Sequence, residues 1–230
     1  MVDQFFPRVG WSMVKVLEHL DCEVRYNPNQ TCCGMPAYIN GLRESAKEVA
    51  TKFMEDFNTR TPIVSPSASC VDMVRNHYDN FFKNTSYHNI YRGLQQRIFE
   101  FSQYLVHELK VTQLPARLEG RVALLCNCHA QNGLDIKDEP LKLLGMVQGL
   151  ELVHPGNFGH CCGYSGDFAV HHEEEAVAMA NKMLDAYEQA GAKIVVSNEY
   201  QCLFHFQGIT RKQERPLQFM HLAEVLAQGW

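Results

Sequence analysis

The stretch Ile194-Val195-Val196-Ser197-Asn198-Glu199 runs an apolar strand into a polar loop just ahead of Cys202. Its counterpart is Ile63-Val64, which runs through a Ser/Pro loop to Cys70. A third apolar run, Arg121-Val122-Ala123-Leu124-Leu125, leads in the same way to Cys128. Short β-branched runs bounded by turn residues read as strands. Apolar residues at helical spacing predict helices over 13–20, 41–57, 140–147 and 173–190, the second with Ala46, Val49, Phe53 and Phe57 on one side and the last closed by Gly191. Further short strands are expected at 23–26 and 150–154, and closing helices at 100–106 and 221–227. Strands alternating with helices predict an α/β fold with mostly parallel sheets flanked by helices. Every thiol singled out below then falls at a strand end or in the loop after one, where such sheets place their sites.

The cysteines repeat with the strands. Cys32-Cys33-Gly34 and Cys161-Cys162-Gly163 are two copies of one triplet; Cys70 follows Cys33 by 37 positions and Cys202 follows Cys162 by 40. Two pseudo-repeated units, 1–117 and 118–230, follow from this spacing. Cys128 precedes Cys161 by 33 positions, and the same step back from Cys32 falls just ahead of Met1. The second unit thus has four candidate ligands, Cys128, Cys161, Cys162 and Cys202, and the first has three, Cys32, Cys33 and Cys70. A truncated N-terminus, lacking the first strand and one thiol, is the expectation for the first unit.

Composition sets outer limits. A chain of 230 residues, 46% hydrophobic and 20% charged, can bury a sizeable core. A formal net charge of −5 argues against a general nucleic-acid or anionic-membrane surface, and the basic cluster Arg211-Lys212-Gln213-Glu214-Arg215 is interrupted by amide and acid. No apolar stretch reaches membrane-spanning length and the first residues do not resemble a signal peptide, so a cytoplasmic protein is expected. Nine cysteines, an odd number with vicinal pairs, speak against a disulfide framework in that compartment. Cys22 and Cys126 have no counterpart in the other unit and read as small buried hydrophobes.

Two adjacent cysteines, with Cα atoms about 3.8 Å apart, can reach two corners of one iron–sulfur cube while distant loops supply the other two. The glycine after each pair lets backbone pass close to an inorganic core and turn its N–H toward sulfur. Structural zinc sites usually pair cysteines two to four residues apart. The pattern therefore favours iron–sulfur clusters, with a zinc staple or an empty thiol site as the alternatives. No glycine-rich dinucleotide fingerprint follows any strand, so no nicotinamide or flavin site is indicated.

Several blocks taken together resemble a known family. They are Gln30-Thr31-Cys32-Cys33-Gly34-Met35-Pro36-Ala37, Ser65-Pro66-Ser67-Ala68-Ser69-Cys70, Cys128-His129, Asp138-Glu139-Pro140-Leu141, Gly149-Leu150-Glu151-Leu152, His160-Cys161-Cys162-Gly163 and His221-Leu222-Ala223-Glu224-Val225-Leu226. In this order and at these distances they are similar to the cysteine-rich CCG family, in particular its lactate-utilisation protein A subgroup, relatives of the glycolate oxidase iron–sulfur subunit and of the cysteine-rich subunit of heterodisulfide reductase. The resemblance covers almost the whole chain. It implies an iron–sulfur electron-transfer subunit of a complex that oxidises L-lactate, working with partner subunits and not catalytic alone. It also implies a strand and a cysteine shortly before residues like Asp3-Gln4-Phe5-Phe6-Pro7. A [4Fe-4S] cluster is expected at the complete second site, with an incomplete site in the first unit.

Departures from the related patterns bear on mechanism. The heterodisulfide reductase relative has an extra cysteine three residues before the last ligand of each half, where this chain has Ser67 and Glu199. Its disulfide chemistry is therefore not expected, and ordinary cubane clusters are. Asp167 and Glu199 are candidates to lie near the second cluster, where negative charge would lower its potential. His129 and His160 adjoin ligands and read as packing or outer-shell groups. His171-His172 ahead of Glu173-Glu174-Glu175 reads as a helix start rather than a metal site. No residue is identified as catalytic. The function classes in play are a one-electron redox subunit, a thiol–disulfide reductase and a zinc-stapled interaction module.

Overall fold

The computed structural model describes residues 2–156 and 161–229. Among these, β1 (Ile63–Ser65) pairs with β2 (Ile98–Glu100) in a small parallel sheet. A second parallel sheet places β3 (Arg117–Leu125), β4 (Gln148–Leu152), β5 (Ile194–Ser197) and β6 (Gln218–His221) in the order β4-β3-β5-β6. All four residues of β5 are buried, as expected for an apolar run with a strand on each side and helices over both faces. The chain leaves β3 for β4 on one side and returns to β5 on the other. Connections leaving the carboxyl ends of β3 and β5 diverge at such a switch point and open a crevice between them. Cys128 and Cys202 follow those two strands.

The repeat is written into the pairing. Ser65 lies opposite Glu100 in the small sheet, and Ser197 lies opposite His221 in the large one. Ser65 Oγ accepts the Ser67 N–H, and Ser197 Oγ accepts the Glu199 N–H, each at 3.2 Å. The same serine turn thus ends both strands and directs the chain to the last cysteine of each unit. Glu100 and His221 then cap the helical turns that follow, accepting from the N–H groups of Gln103 and Ala223, with Glu224 completing a capping box on His221.

The helix predicted over 13–20 begins earlier, as Pro7–His19, because proline suits the first helical turn. The other long helices run Arg43–Asp56 and Glu173–Gln189, and the shorter one Glu139–Leu144. The strand predicted at 23–26 does not form. Val24 packs inward while Glu23, Arg25 and Tyr26 are exposed, so the alternation suits a strand. No described strand lies beside it to accept its backbone hydrogen bonds, and an unpaired strand is not stable in water.

Val16 and Leu17 of the helix Pro7–His19 share one apolar cluster with Phe101, Leu105, Val122, Leu222, Val225 and Leu226. The core therefore crosses the boundary between the repeats, and each such buried side chain contributes about 1.5–3 kcal/mol. Two further clusters enclose thiols, one Cys33 and the other Cys162 and Cys202.

The paired caps have opposite titration behaviour. Burial pushes Glu100 up from 4.5 to about 7 and His221 down from 6.5 to about 4. Glu100 contributes stability that is full below 4.5 and is lost as pH rises through about 7; His221 contributes stability that is full above 6.5 and is lost as pH falls toward about 4. Between those limits the two slopes cancel. Glu100→Gln removes one of them and should be more stable than the parent at pH 8, by about 1–3 kcal/mol, with the advantage gone near pH 4. Urea unfolding at the two pH values checks this, and equal stabilities at pH 8 would count against a strained carboxylate.

Candidate metal centre

Each Cys-Cys-Gly triplet is shaped by its glycine. Gly34 and Gly163 have φ of 89° and 87°, a left-handed conformation that costs glycine little. A Cβ at Gly34 would stand 3.0 Å from the Ala46 carbonyl oxygen, and one at Gly163 would stand 2.6 Å from that of Ala176. Ala46 and Ala176 are fully buried in the first turns of the helices Arg43–Asp56 and Glu173–Gln189. Both triplets are thus pressed against the start of a long helix. In both, the glycine N–H turns to the first sulfur: Gly34 N lies 3.4 Å from Cys32 Sγ, and the Gly163 N–H bonds Cys161.

The structure brings Cys128, Cys161, Cys162 and Cys202 together. Cys161 hydrogen-bonds Cys128 and Cys162, and Cys162 Sγ lies 2.7 Å from Cys202 Sγ. In the first unit Cys33 hydrogen-bonds both Cys32 and Cys70. Cys22 and Cys126 stand apart, their thiols directed at the carbonyls of Leu20 and Ile136. Burial pushes the Cys126 thiol up to about 11.

Electrostatics repeat as well. The Cys33 thiol, and after it the Gly34 N–H, bring Cys32 down to about 6. Hydrogen bonds from Cys128, Cys162 and then Gly163 hold Cys161 well below the usual thiol range. Cys33, Cys162 and Cys128 are pushed up, chiefly by their sulfur neighbours. In each pair, then, the surroundings favour the thiolate form at the first sulfur and the thiol form at the second, and a metal bound by both would displace the second sulfur's proton.

Among the described residues no three or more His, Cys, Asp or Glu are set around a single-ion position. The sulfur contacts run pairwise as a chain instead. Tetrahedral zinc with bonds of about 2.3 Å would hold sulfurs about 3.8 Å apart. Cys162 and Cys202, at 2.7 Å, must part to admit any metal. The donor set itself, four thiols from three segments with a backbone N–H on one of them, fits a cluster.

A cavity of about 60 Å³ lies where the second-unit thiols meet Met35, Ile39 and Ser69 of the first unit. Glu199 is in its wall. Asp167 is exposed and absent from that wall, so of the two acids proposed to neighbour the site only Glu199 does. Glu199 is raised by burial, against hydrogen bonds from Ser69 and Ser67. His129 Nδ1 lies 2.6 Å from Asp72 Oδ2, which raises His129; burial works against ionised Asp72, but His129 and Asn76 bring it down overall. His160 lies outside the described residues. His171 and His172 are exposed ahead of an acidic first helical turn, as a helix start.

Sequence reasoning did not single out Asn127, Asp72 or Tyr78. Asn127 is buried, donates to Asn198 Oδ1 at 2.8 Å and accepts the Ala130 N–H. Tyr78 is buried and its hydroxyl donates to the Cys33 carbonyl at 2.9 Å. An amide directly before Cys128 was a signal for the first; nothing local marked the other two. The helix Ala68–Asp72 that bears Cys70 continues as a π turn, Met73–His77, and Cys128 opens another, His129–Gly133. Such turns cluster at functional sites.

The family model of the cysteine-rich domain, CCG, matches residues 1–75 and 122–207, one triplet in each segment. The chain is 37% identical over 229 residues to Lactate utilization protein A of Exiguobacterium sp., covering 99% of this chain and 94% of the relative. It is 33% identical over 226 residues to Lactate utilization protein A of Geobacillus sp., covering 98% and 95%. It is 34% identical over 228 residues to Lactate utilization protein A 2 of Bacillus cereus, covering 99% and 94%.

Proposed function

This chain belongs to the cysteine-rich CCG domain family, and from that membership and its two thiol sites we propose that it serves lactate utilisation as the iron–sulfur electron-transfer subunit of a complex oxidising L-lactate or a related 2-hydroxy acid. The observation that carries this reading is the convergence of four thiols from three chain segments on a glycine-shaped cradle, with the cradle repeated in the other unit. Cys128, Cys161, Cys162 and Cys202 would hold one [4Fe-4S] cluster, and Cys32, Cys33 and Cys70 are the ligands this chain offers a second. Such a group, when bound, passes single electrons at a potential set by charge and hydrogen bonds around its sulfurs. The residues here supply those controls. The Gly34 and Gly163 N–H groups stabilise negative sulfur, and Asp72 fixes the His129 ring beside Cys128.

Removing a hydride or two electrons from a 2-hydroxy acid calls for a cofactor or substrate-activating site of its own. A partner subunit is therefore assigned the first contact with substrate. Among the described residues no helix is long and apolar enough to cross a membrane. The thiol–disulfide reading is weaker because the two positions that would carry extra cysteines, Ser67 and Glu199, are hydrogen-bonded to each other.

Anaerobic purification followed by assay of iron and acid-labile sulfide per chain tests the reading. Both should be present in near-equal amounts, with visible absorption. Zinc without sulfide would favour the interaction module, and reduction of a mixed disulfide by the isolated chain would favour the reductase. Lactate oxidation by the single chain with an artificial acceptor would overturn the assignment of substrate contact to a partner.

A further inference from the structure

The segment that carries Cys70 is held from the opposite unit. Pro66 O lies 2.8 Å from His221 Nε2, Asp72 Oδ2 lies 2.6 Å from His129 Nδ1, and Asn76 Nδ2 donates to Gly133 O at 2.7 Å. Between these contacts along the segment, Glu199 engages Ser67 and Ser69. Its Oε2 accepts from the Ser67 hydroxyl and from the Ser69 N–H, both at 2.9 Å. Ser67 Oγ in turn accepts the Cys70 N–H at 3.4 Å.

The arrangement departs from the symmetry of the repeat. Ser67 and Glu199 occupy equivalent places, three residues before the last cysteine of their units, and each opens the helix bearing that cysteine. Ser67 caps its own helix, Ala68–Asp72. Glu199 makes no side-chain cap on its own helix, Tyr200–Lys212, and gives its carboxylate to the N-terminal turn of the other. Only 3% of Glu199 is exposed. A buried carboxylate is tolerated where donors meet it, and here the donors belong to the other unit.

We propose that Glu199 is a positioning residue that ties the Cys70 and Cys202 segments into one mechanical element, so that the state of one thiol site is felt at the other. This rests on the ligand assignment above only for its consequence in the metal-loaded protein. The link itself is a property of the metal-free chain. Withdrawing the carboxylate leaves the buried Ser69 N–H without its acceptor and the Ser67 hydroxyl with only Ser69 Oγ, 3.0 Å away, to bond within its own unit, and the Cys70 segment loosens. Glutamine keeps an oxygen for the Ser69 N–H and can donate to Ser67 Oγ, so it preserves the tie.

The test is carried out on the metal-free full chain by alkylation with iodoacetamide, mapped by mass spectrometry, with Cys22 as internal reference. Glu199→Ala should raise the Cys70 rate on the order of tenfold, the loss of a hydrogen bond to a charged group. Glu199→Gln should stay within about twofold of the parent, since the tie is kept. Ser67→Ala, a change in the first unit, should raise the Cys202 rate in the second, and it carries the test if Glu199→Ala does not fold by circular dichroism. An unchanged distant thiol in a folded Glu199→Ala or Ser67→Ala chain overturns the proposal, as does a glutamine variant as reactive as the alanine one. Failure to bind iron with this labelling pattern intact would sink the cluster reading and leave the link standing.

Discussion

On the proposed cluster reading, Cys202→Ser is expected to strip the second site, leaving no more than about a tenth of the iron and sulfide of the parent chain and abolishing electron flow through the proposed complex. Cys202 is 5% exposed, opens the buried face of the helix Tyr200–Lys212 and has Cys162 Sγ at 2.7 Å. Serine is close to isosteric there, so the helix and the sheet beneath it remain. What is lost is a soft thiolate, the donor that selects iron–sulfur chemistry over harder metals. Cys161→Ser should behave alike, since Cys161 is the sulfur that both Cys128 and Cys162 bond. Cys126→Ser is the control: its thiol faces the Ile136 carbonyl outside the site, and the iron content should not change. Iron and sulfide per chain, compared across the three variants, decide the matter. Full retention in Cys202→Ser, or loss in Cys126→Ser, would mean that the ligands have been assigned to the wrong cysteines.

The parts of this molecule that were legible in sequence are those fixed by local rules. Alternating apolar runs and helical periods gave parallel α/β layers, and Cys70, Cys128 and Cys202, placed after such runs, come just beyond the carboxyl ends of β1, β3 and β5, whereas no strand precedes Cys32 and Cys33. The glycine after each pair signalled a close backbone approach, and Gly34 and Gly163 take nearly the same left-handed φ there, 89° and 87°. The segment 23–26 was misread for a non-local reason: its alternation is right, but a strand exists only where a neighbour takes its hydrogen bonds. Asp167 was offered as a neighbour of the site and faces solvent, whereas Glu199 turned inward. Glu199 follows a buried strand three residues before Cys202, which placed it close to the site, but nothing local showed what its carboxylate would meet there. Glu199 is fixed by Ser67 and Ser69, residues more than a hundred positions away, and only the packing of one unit on the other brings them to it. His129 was singled out beside Cys128, but its partner Asp72, 57 positions away, is hidden from sequence reasoning for the same reason.

Gly163→Ala should be the most damaging single methyl that can be added near the site. Two costs combine. An L-residue held at φ of 87° is strained by about 1–2 kcal/mol relative to glycine. The new Cβ would also lie 2.6 Å from the Ala176 carbonyl oxygen, a contact that no rotamer change can relieve because the obstacle is backbone. The helix Glu173–Gln189 would have to retreat, yet Ala176, Ala180, Met183, Leu184 and Tyr187 are all buried along it. Overpacking of this kind costs about 1–3 kcal/mol, which puts the whole effect at about 2–5 kcal/mol. Gly34→Ala meets the same strain with a milder contact of 3.0 Å, so its loss should be smaller by about 1 kcal/mol. Gly208→Ala, in the middle of the helix Tyr200–Lys212 with nothing within 4 Å of its new methyl, should instead stabilise by about 0.5–1 kcal/mol. Urea unfolding of the three metal-free variants gives the order directly. If Gly163→Ala unfolds no more easily than Gly34→Ala, the second triplet is not braced by the helix behind it, and the rigidity that the proposed cluster site calls for would have to be sought in the thiol loops themselves.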